Sequence, residues 1–130
     1  GVPYYNDSKA TNPDSTIKAL EAFDGHIILL AGGHDKMTSL EPMMKLVQAK
    51  ADVLILLGEA KERFYEAAAA AGVGDIRKVE TMDEAVELAY KLAAAPQVVL
   101  LSPACSSYDM FENFPARGRY FKNLVAALPK

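Results

Sequence analysis

The chain has 130 residues, of which 51% are hydrophobic and 24% charged, the ordinary composition of a single globular domain. Its net charge of −3 excludes a general nucleic-acid-binding surface, which needs a basic face, and no apolar run approaches the roughly 20 residues of a membrane span. The only cysteine, Cys105, cannot form a disulfide within the chain and fits a reducing compartment. We therefore expect one domain over residues 1–130, cytoplasmic, with neither a nucleic-acid nor a membrane partner.

The predicted strands determine the fold class. Continuous apolar runs at 26–31, 53–57 and 98–101 are typical of strands that are buried on both faces of a parallel sheet. Weaker strands are expected at 2–5, where Pro3 favours an edge, and at 77–80, which is poor in apolar residues.

Segments with helical spacing separate these strands. The first helix is expected to begin at Thr11 or Asn12 with Pro13 near its first position, and others are expected over 43–47, 59–71 and 121–128. A capping box at 81–84 opens a further helix. This alternation predicts an α/β fold, a three-layer sandwich whose mostly parallel sheet of five or six strands has helices on both faces. Ligands of such folds bind beyond the carboxyl ends of the strands.

The loops at those strand ends have the chemistry of an anion site. Gly32 and Gly33 allow close approach of a ligand to the backbone, and helix N-termini after Thr11 and Ser107 would direct N–H groups at it. Further hydroxyl groups come from Ser102 and Ser106, and positive charge from Lys9 and Lys36. Two lysines on separate loops suit a dicarboxylate, or a carboxylate beside a phosphate. The alternative is that the lysines are solvated, Thr11 is only a cap and the glycines form only a turn.

Other polar residues receive structural interpretations. Cys105 has no histidine near it in sequence and is not expected to be a nucleophile. His34 beside Asp35 lacks the spacing of metal ligands, so no metal site is predicted. Residues 61–63 are interpreted as a solvated helix face. Neither GxxxxGK[ST] nor GxGxxG occurs, so the chain shows no triphosphate-binding loop of its own.

Three segments resemble the C-terminal domain of the Mur ligase family: NDSKATN at 6–12, GGHDK at 32–36 and LSPACSSYDMFENF at 101–114. The resemblance continues at 56–59, at Arg117-Gly118 and at Phe121, and it covers nearly the whole chain in order. The first segment is similar to that of the D-glutamate-adding branch rather than of the other peptide-adding branches. One departure concerns Met37, which follows the GGHDK lysine where the family usually has glycine.

The resemblance implies a Rossmann-like domain of a three-domain enzyme whose N-terminal UDP-binding and central ATPase domains are absent from this chain. Such a ligase uses ATP to convert UDP-N-acetylmuramoyl-L-alanine into an acyl phosphate, which the amine of D-glutamate attacks, a step of peptidoglycan synthesis. ATP and Mg²⁺ would be held mainly by the central domain, and none is expected to bind tightly here. The isolated domain is expected to be inactive.

The resemblance also implies roles for individual residues. D-glutamate would be bound by Thr11, Lys36, Ser107, Tyr108 and Phe114. For the nucleotide, Asp7 would reach the ribose and Lys9 the reacting phosphate. No nucleophile, general base or metal ligand is assigned. The alternatives are a stand-alone domain that binds an anionic metabolite without catalysis, and an unrelated flavodoxin-like interaction domain whose loop lysines are incidental.

Overall fold

A computed structural model describes residues 1–129 and contains five strands and five helices. In chain order these are β1 (Tyr4–Asn6), α1 (Pro13–Glu21), β2 (Ile27–Ala31), α2 (Glu41–Lys50), β3 (Ala51–Leu56), α3 (Lys61–Ala70), β4 (Ile76–Lys78), α4 (Met82–Leu92), β5 (Val98–Leu101) and α5 (Phe114–Ala126). Over the described range, no helix is both long and apolar enough to cross a bilayer.

The five strands form one sheet in the order β1-β5-β2-β3-β4, and every neighbouring pair is parallel. The predicted parallel sheet is thus confirmed, with five strands. The two weak strands lie at its edges, as predicted. β1 begins at Tyr4 rather than at residue 2, since Pro3 has no amide hydrogen to donate to a neighbouring strand.

Helices cover both faces of the sheet, which makes the predicted three-layer sandwich. Side chains of β2 alternate between two cores: Ile27 and Leu29 pack with α1, α2 and α3, whereas Ile28 and Leu30 pack with α4 and α5. Because both faces are buried, the central strands read as continuous apolar runs. The crossovers towards β4 place their helices on one face and the return to β5 places α4 on the other, as a single crossover hand requires.

The helix ends follow the predicted signals except at α5. Asn12 caps α1 by accepting from Ser15 N, with Pro13 at the first helical position, and the capping box at α4 is complete. The prediction of a helix N-terminus directly after Ser107 was wrong. Residues 107–111 form a turn in which Ser107 O accepts from two following amides, and α5 begins later because Asn113 supplies its N-cap.

Candidate functional site

Four loops meet at the carboxyl end of the sheet. We name them by the strand they follow: the β1 loop (7–12), the β2 loop (32–40), the β3 loop (57–60) and the β5 loop (102–113). Main-chain hydrogen bonds of 2.8–3.0 Å tie them together: Gly32 N to Pro103 O, His34 N to Ser106 O, Ala104 N to Ala10 O, and Ala60 N to Gly33 O. The predicted loops therefore form one continuous surface.

Two glycines allow this close approach of the loops. A Cβ atom on Gly33 would lie 2.6 Å from Ser106 O, and one on Gly58 would lie 2.8 Å from both Gly33 N and Gly33 Cα. Both glycines also have positive φ, which any larger residue would find strained. Gly33 is thus more than part of a strand-end turn. The β2, β3 and β5 loops pass so close to one another there that a side chain at position 33 would not fit.

Two predicted ligand residues, Thr11 and Lys36, are in direct contact across the β1 and β2 loops. Lys36 Nζ donates a hydrogen bond to Thr11 O at 3.1 Å. The lysine is exposed, and within residues 1–129 it forms no ion pair. Its ammonium is therefore held at a defined place with its charge not neutralised by a carboxylate.

The β5 loop contributes both buried hydroxyl groups and exposed rings. Ser107 is only 2% exposed, and neither its hydroxyl nor that of Ser106 has a hydrogen-bond partner among residues 1–129. Such unpaired buried groups are rare in folded proteins. Tyr108 is 72% exposed, and Phe114, the first residue of α5, is also exposed. This stretch thus combines exposed aromatic side chains with buried hydroxyl groups that have no partner among the described residues.

Asp7 and Lys9 differ in how firmly they are held. The carboxylate Oδ2 of Asp7 accepts a hydrogen bond from Ser102 Oγ at 2.8 Å, which orients it. Ser102, predicted as a ligand donor, is fully buried and bound to Asp7, so that prediction was wrong. Lys9 is exposed and lines a shallow groove with Phe114 and Lys122, and Lys36 is not part of this groove. The two lysines therefore do not face a common pocket in this structure.

Arg117, to which the sequence analysis assigned no role, connects the β1 and β5 loops. Its guanidinium donates to Ser8 Oγ at 2.8 Å, to Ser8 O at 2.6 Å and to Cys105 O at 2.9 Å. The residue is 2% exposed, and this burial lowers its pKa to about 10, so it stays charged at neutral pH. Burial also raises the pKa of the Cys105 thiol to about 12, which agrees with the prediction that it is no nucleophile.

The interpretation of residues 61–63 as a solvated helix face was wrong for two of the three. Arg63 forms a forked ion pair with Asp35 of the β2 loop, with Nε 2.9 Å from Oδ2 and Nη2 3.0 Å from Oδ1. Lys61 reaches Val79 O and the Glu80 carboxylate. The first turn of α3 packs against two loops, and this places both long side chains on protein rather than in solvent.

Met37 retains the backbone conformation that glycine would favour. Its φ is +59°, in the left-handed region, while its side chain is largely exposed. Met37 N donates to Asp35 Oδ1 at 2.8 Å. The departure from the family pattern at this position therefore leaves the turn in place and substitutes a strained residue for a permissive one.

Comparison with known proteins gives consistent results. Residues 1–105 match the family model described as "Mur ligase, glutamate ligase domain". The UDP-N-acetylmuramoylalanine–D-glutamate ligase of Citrifermentans bemidjiense is 49% identical over 127 residues, which are 98% of this chain. The enzyme of the same name from Clostridioides difficile is 45% identical over 124 residues, 95% of this chain. In each case the chain spans 28% of the relative's length.

A solved structure shares the fold at much lower sequence identity. The UDP-N-acetylmuramate–alanine ligase of Thermotoga maritima superposes with a TM-score of 0.56 and 16% identity, covering 91% of this chain and 25% of that one. This likeness supports the architecture alone, whereas the family-model match extends over most of the sequence, including the β1, β2 and β3 loops and the β5 loop as far as Cys105. The chain therefore belongs to the Mur ligase family and corresponds to the C-terminal, glutamate ligase domain of that family.

Proposed function

We propose that this chain is the D-glutamate-binding domain of an ATP-dependent ligase that adds D-glutamate to UDP-N-acetylmuramoyl-L-alanine through an acyl phosphate. Family membership supports an amide-forming ligase of peptidoglycan synthesis. The names of the relatives at 45–49% identity support D-glutamate as the amino acid that is added. The remaining part of the longer protein would supply the central ATPase domain and the site for the UDP-sugar.

The observation that carries the proposal is the contact between Lys36 and Thr11. It holds an ammonium group, which has no carboxylate partner among residues 1–129, at the junction of the β1 and β2 loops. D-glutamate brings two carboxylates, which attract such a charge, and we assign them to Lys36, Thr11 and the unpaired hydroxyl of Ser107. The exposed rings of Tyr108 and Phe114 would cover the aliphatic part of the ligand.

The chemical role of these residues is to orient the substrate. A bound glutamate whose amine is aligned with an acyl phosphate reacts as if unimolecularly, which contributes up to about 7–11 kcal/mol to lowering the barrier. None of the residues assigned here acts as a nucleophile. The site binds both carboxylates and leaves the amine directed at the second substrate.

We assign the nucleotide contacts of this domain to Asp7 and Lys9. Asp7 is pre-oriented by Ser102, which suits a carboxylate that accepts from ribose hydroxyl groups. Lys9 is exposed in its groove and can approach a phosphate. Residues 1–129 contain no cluster of three or more metal-ligating side chains. The family resemblance implies that Mg²⁺ and most phosphate contacts belong to the central domain.

A titration of the 130-residue chain with D-glutamate, followed by amide NMR, tests this proposal. We expect the amides of Thr11 and Ser107 to shift more with D-glutamate than with L-glutamate. Lys36→Ala should abolish these shifts, whereas Lys45→Ala, which removes an exposed lysine paired with Glu41 on α2, should not.

Two results would contradict the proposal. Equal responses to D-glutamate, L-glutamate and inorganic phosphate would favour the non-catalytic anion-binding alternative. Shifts confined to the amino ends of the strands would remove the ligand from the four loops. In the complete ligase, Lys36→Ala should raise the KM for D-glutamate sharply, and an unchanged KM and kcat would exclude Lys36 from the site.

A further inference from the structure

We propose that Arg63, on α3, is a positioning residue that fixes the β2 loop around Lys36 and thereby sets the affinity for D-glutamate. This inference rests on the proposed D-glutamate site. It concerns a side chain that lies outside the four loops, in the first turn of α3. Arg63 acts on the β2 loop in two ways, one geometric and one electrostatic.

The geometric part is that one guanidinium holds the chain on both sides of Lys36. Before it, the Asp35 carboxylate receives the fork from Arg63, with contacts of 2.9–3.2 Å. After it, Thr38 O accepts from Arg63 Nη2 at 2.9 Å. Asp35 also accepts from Met37 N, so the residues at 35, 37 and 38 are all bound into one arrangement. Lys36 projects from a segment whose ends cannot move independently.

We call the contacts of Arg63 with Asp35 and Thr38 the clamp. The side chains that form its ion pair are partly shielded from solvent. The side chains of Arg63 and Asp35 are 29% and 14% exposed. A second carboxylate, Glu59, accepts from Asp35 N at 3.1 Å, but its side chain is 54% exposed. Because a less exposed, bidentate pair is the stronger interaction, Arg63 is the main anchor of the segment.

The clamp also opposes the strain at Met37. A methionine at φ +59° lies in a region that is unfavourable for residues other than glycine. If Arg63 no longer held the Asp35 carboxylate that accepts from Met37 N, the backbone at Met37 would relax into a more favourable conformation. Lys36 precedes it directly, so this relaxation would carry the ammonium away from Thr11.

The electrostatic part concerns the charge of Asp35. It directly precedes Lys36 in the chain, and a free carboxylate there would compete for the ammonium and repel an incoming dicarboxylate. Pairing with Arg63 satisfies Asp35 and leaves Lys36 available to an anionic ligand. Arg63 thus acts on the ligand through both the position and the availability of Lys36, without touching the ligand itself.

The test compares Arg63→Gln with Arg77→Gln in the 130-residue chain. Arg77, on the edge strand β4, is a matched control, since it also forms an Arg–Asp pair, with Asp75, and lies outside the four loops. The measurements are the Kd for D-glutamate by NMR titration, hydrogen exchange of the Met37 amide, and the melting temperature.

For Arg63→Gln we expect the Kd to rise about tenfold, which is the change expected for the loss of one strong charged interaction. We also expect the Met37 amide to exchange faster. Arg77→Gln should leave both unchanged. Arg63→Lys should recover only part of the affinity, since an ammonium cannot form the fork with Asp35 and Thr38. Adding Asp35→Asn to Arg63→Gln should also recover part of it, because the freed carboxylate is then removed.

Three outcomes would overturn the inference. If Arg63→Gln binds D-glutamate as tightly as the unsubstituted chain while Lys36→Ala does not bind, the inference is wrong and the proposed function stands. If the unsubstituted chain binds no D-glutamate, both are wrong. If Arg63→Gln fails to fold, Arg63→Lys decides: unchanged affinity together with unchanged Met37 exchange would refute the positioning role.

Discussion

Replacing Arg117 with alanine is the most demanding test of how the loops are held together. The substitution removes the guanidinium that joins Ser8 to Cys105 and leaves three oxygen atoms without their donor. Arg119 provides the control, since it lies two residues further along α5, is exposed, and forms no hydrogen bond or ion pair among the described residues. Both variants lose the same side chain from the same helix.

The size of the effect follows from two opposing contributions. Three hydrogen bonds from a charged donor stabilise the fold by about 1.5–3 kcal/mol each. Burying the charge costs several kcal/mol, which offsets about half of that sum or more. The expected net loss for Arg117→Ala is therefore about 2–4 kcal/mol, against no more than about 0.5 kcal/mol for Arg119→Ala. In a chain of this size such a loss lowers the melting temperature by roughly 10 °C.

Thermal and urea unfolding followed by far-ultraviolet circular dichroism would measure both variants. The m-value should stay constant, because neither variant changes the surface that unfolding exposes. A loss below about 1 kcal/mol for Arg117→Ala would mean that the loops are held mainly by their main-chain contacts. Equal losses in the two variants would show that the guanidinium contacts contribute nothing beyond the helix itself.

Two further predictions concern the β2 loop. Met37→Gly should raise the free energy of unfolding by up to about 1 kcal/mol, because relief of the left-handed strain exceeds the added chain entropy of glycine, whereas Met37→Ala should leave it unchanged. The hydrogen bond from Arg63 holds the pKa of Asp35 below its ordinary value of 3.8, so the stabilisation by this pair persists above that pH and is lost as the pH falls through the lowered pKa. Carboxyl NMR should show that Asp35 titrates below its ordinary range, and that in Arg63→Gln it titrates at a higher pH. If Arg63→Gln left the pKa of Asp35 unchanged, this prediction would be wrong.

The architecture was predictable from the sequence because its signals are local. The strand patterns depend on burial of both faces, and the cap at Asn12 and the capping box at Thr81 each involve residues only three positions apart. The edge position of β1 was predicted from Pro3, and that of β4 from the low apolar content of the segment 77–80. The start of α5 was misplaced, because a helix N-terminus was expected after Ser107, whereas Asn113 supplies the N-cap.

The contacts that hold the candidate site were not predictable, because they join residues far apart in sequence. Arg63 and Asp35 are 28 residues apart, and Arg117 and Ser8 are 109 apart. Arg117 did carry a signal: it lies four residues before Phe121 on the apolar stripe of α5, a position where a charged residue needs a buried partner. Arg63 carried none, since it reads as one of several charges at the start of a helix.

The main-chain hydrogen bonds between the loops have a consequence for how ligand selectivity can change. Every residue except proline offers the same amide and carbonyl groups, so a rim built from them keeps its outline when side chains of the loops are exchanged at positions other than the closely packed glycines. When a ligand binds within such a rim, little of the binding free energy is lost to ordering the loops. The frame can thus accommodate ligands of different shape, with discrimination left to the few side chains that project from it.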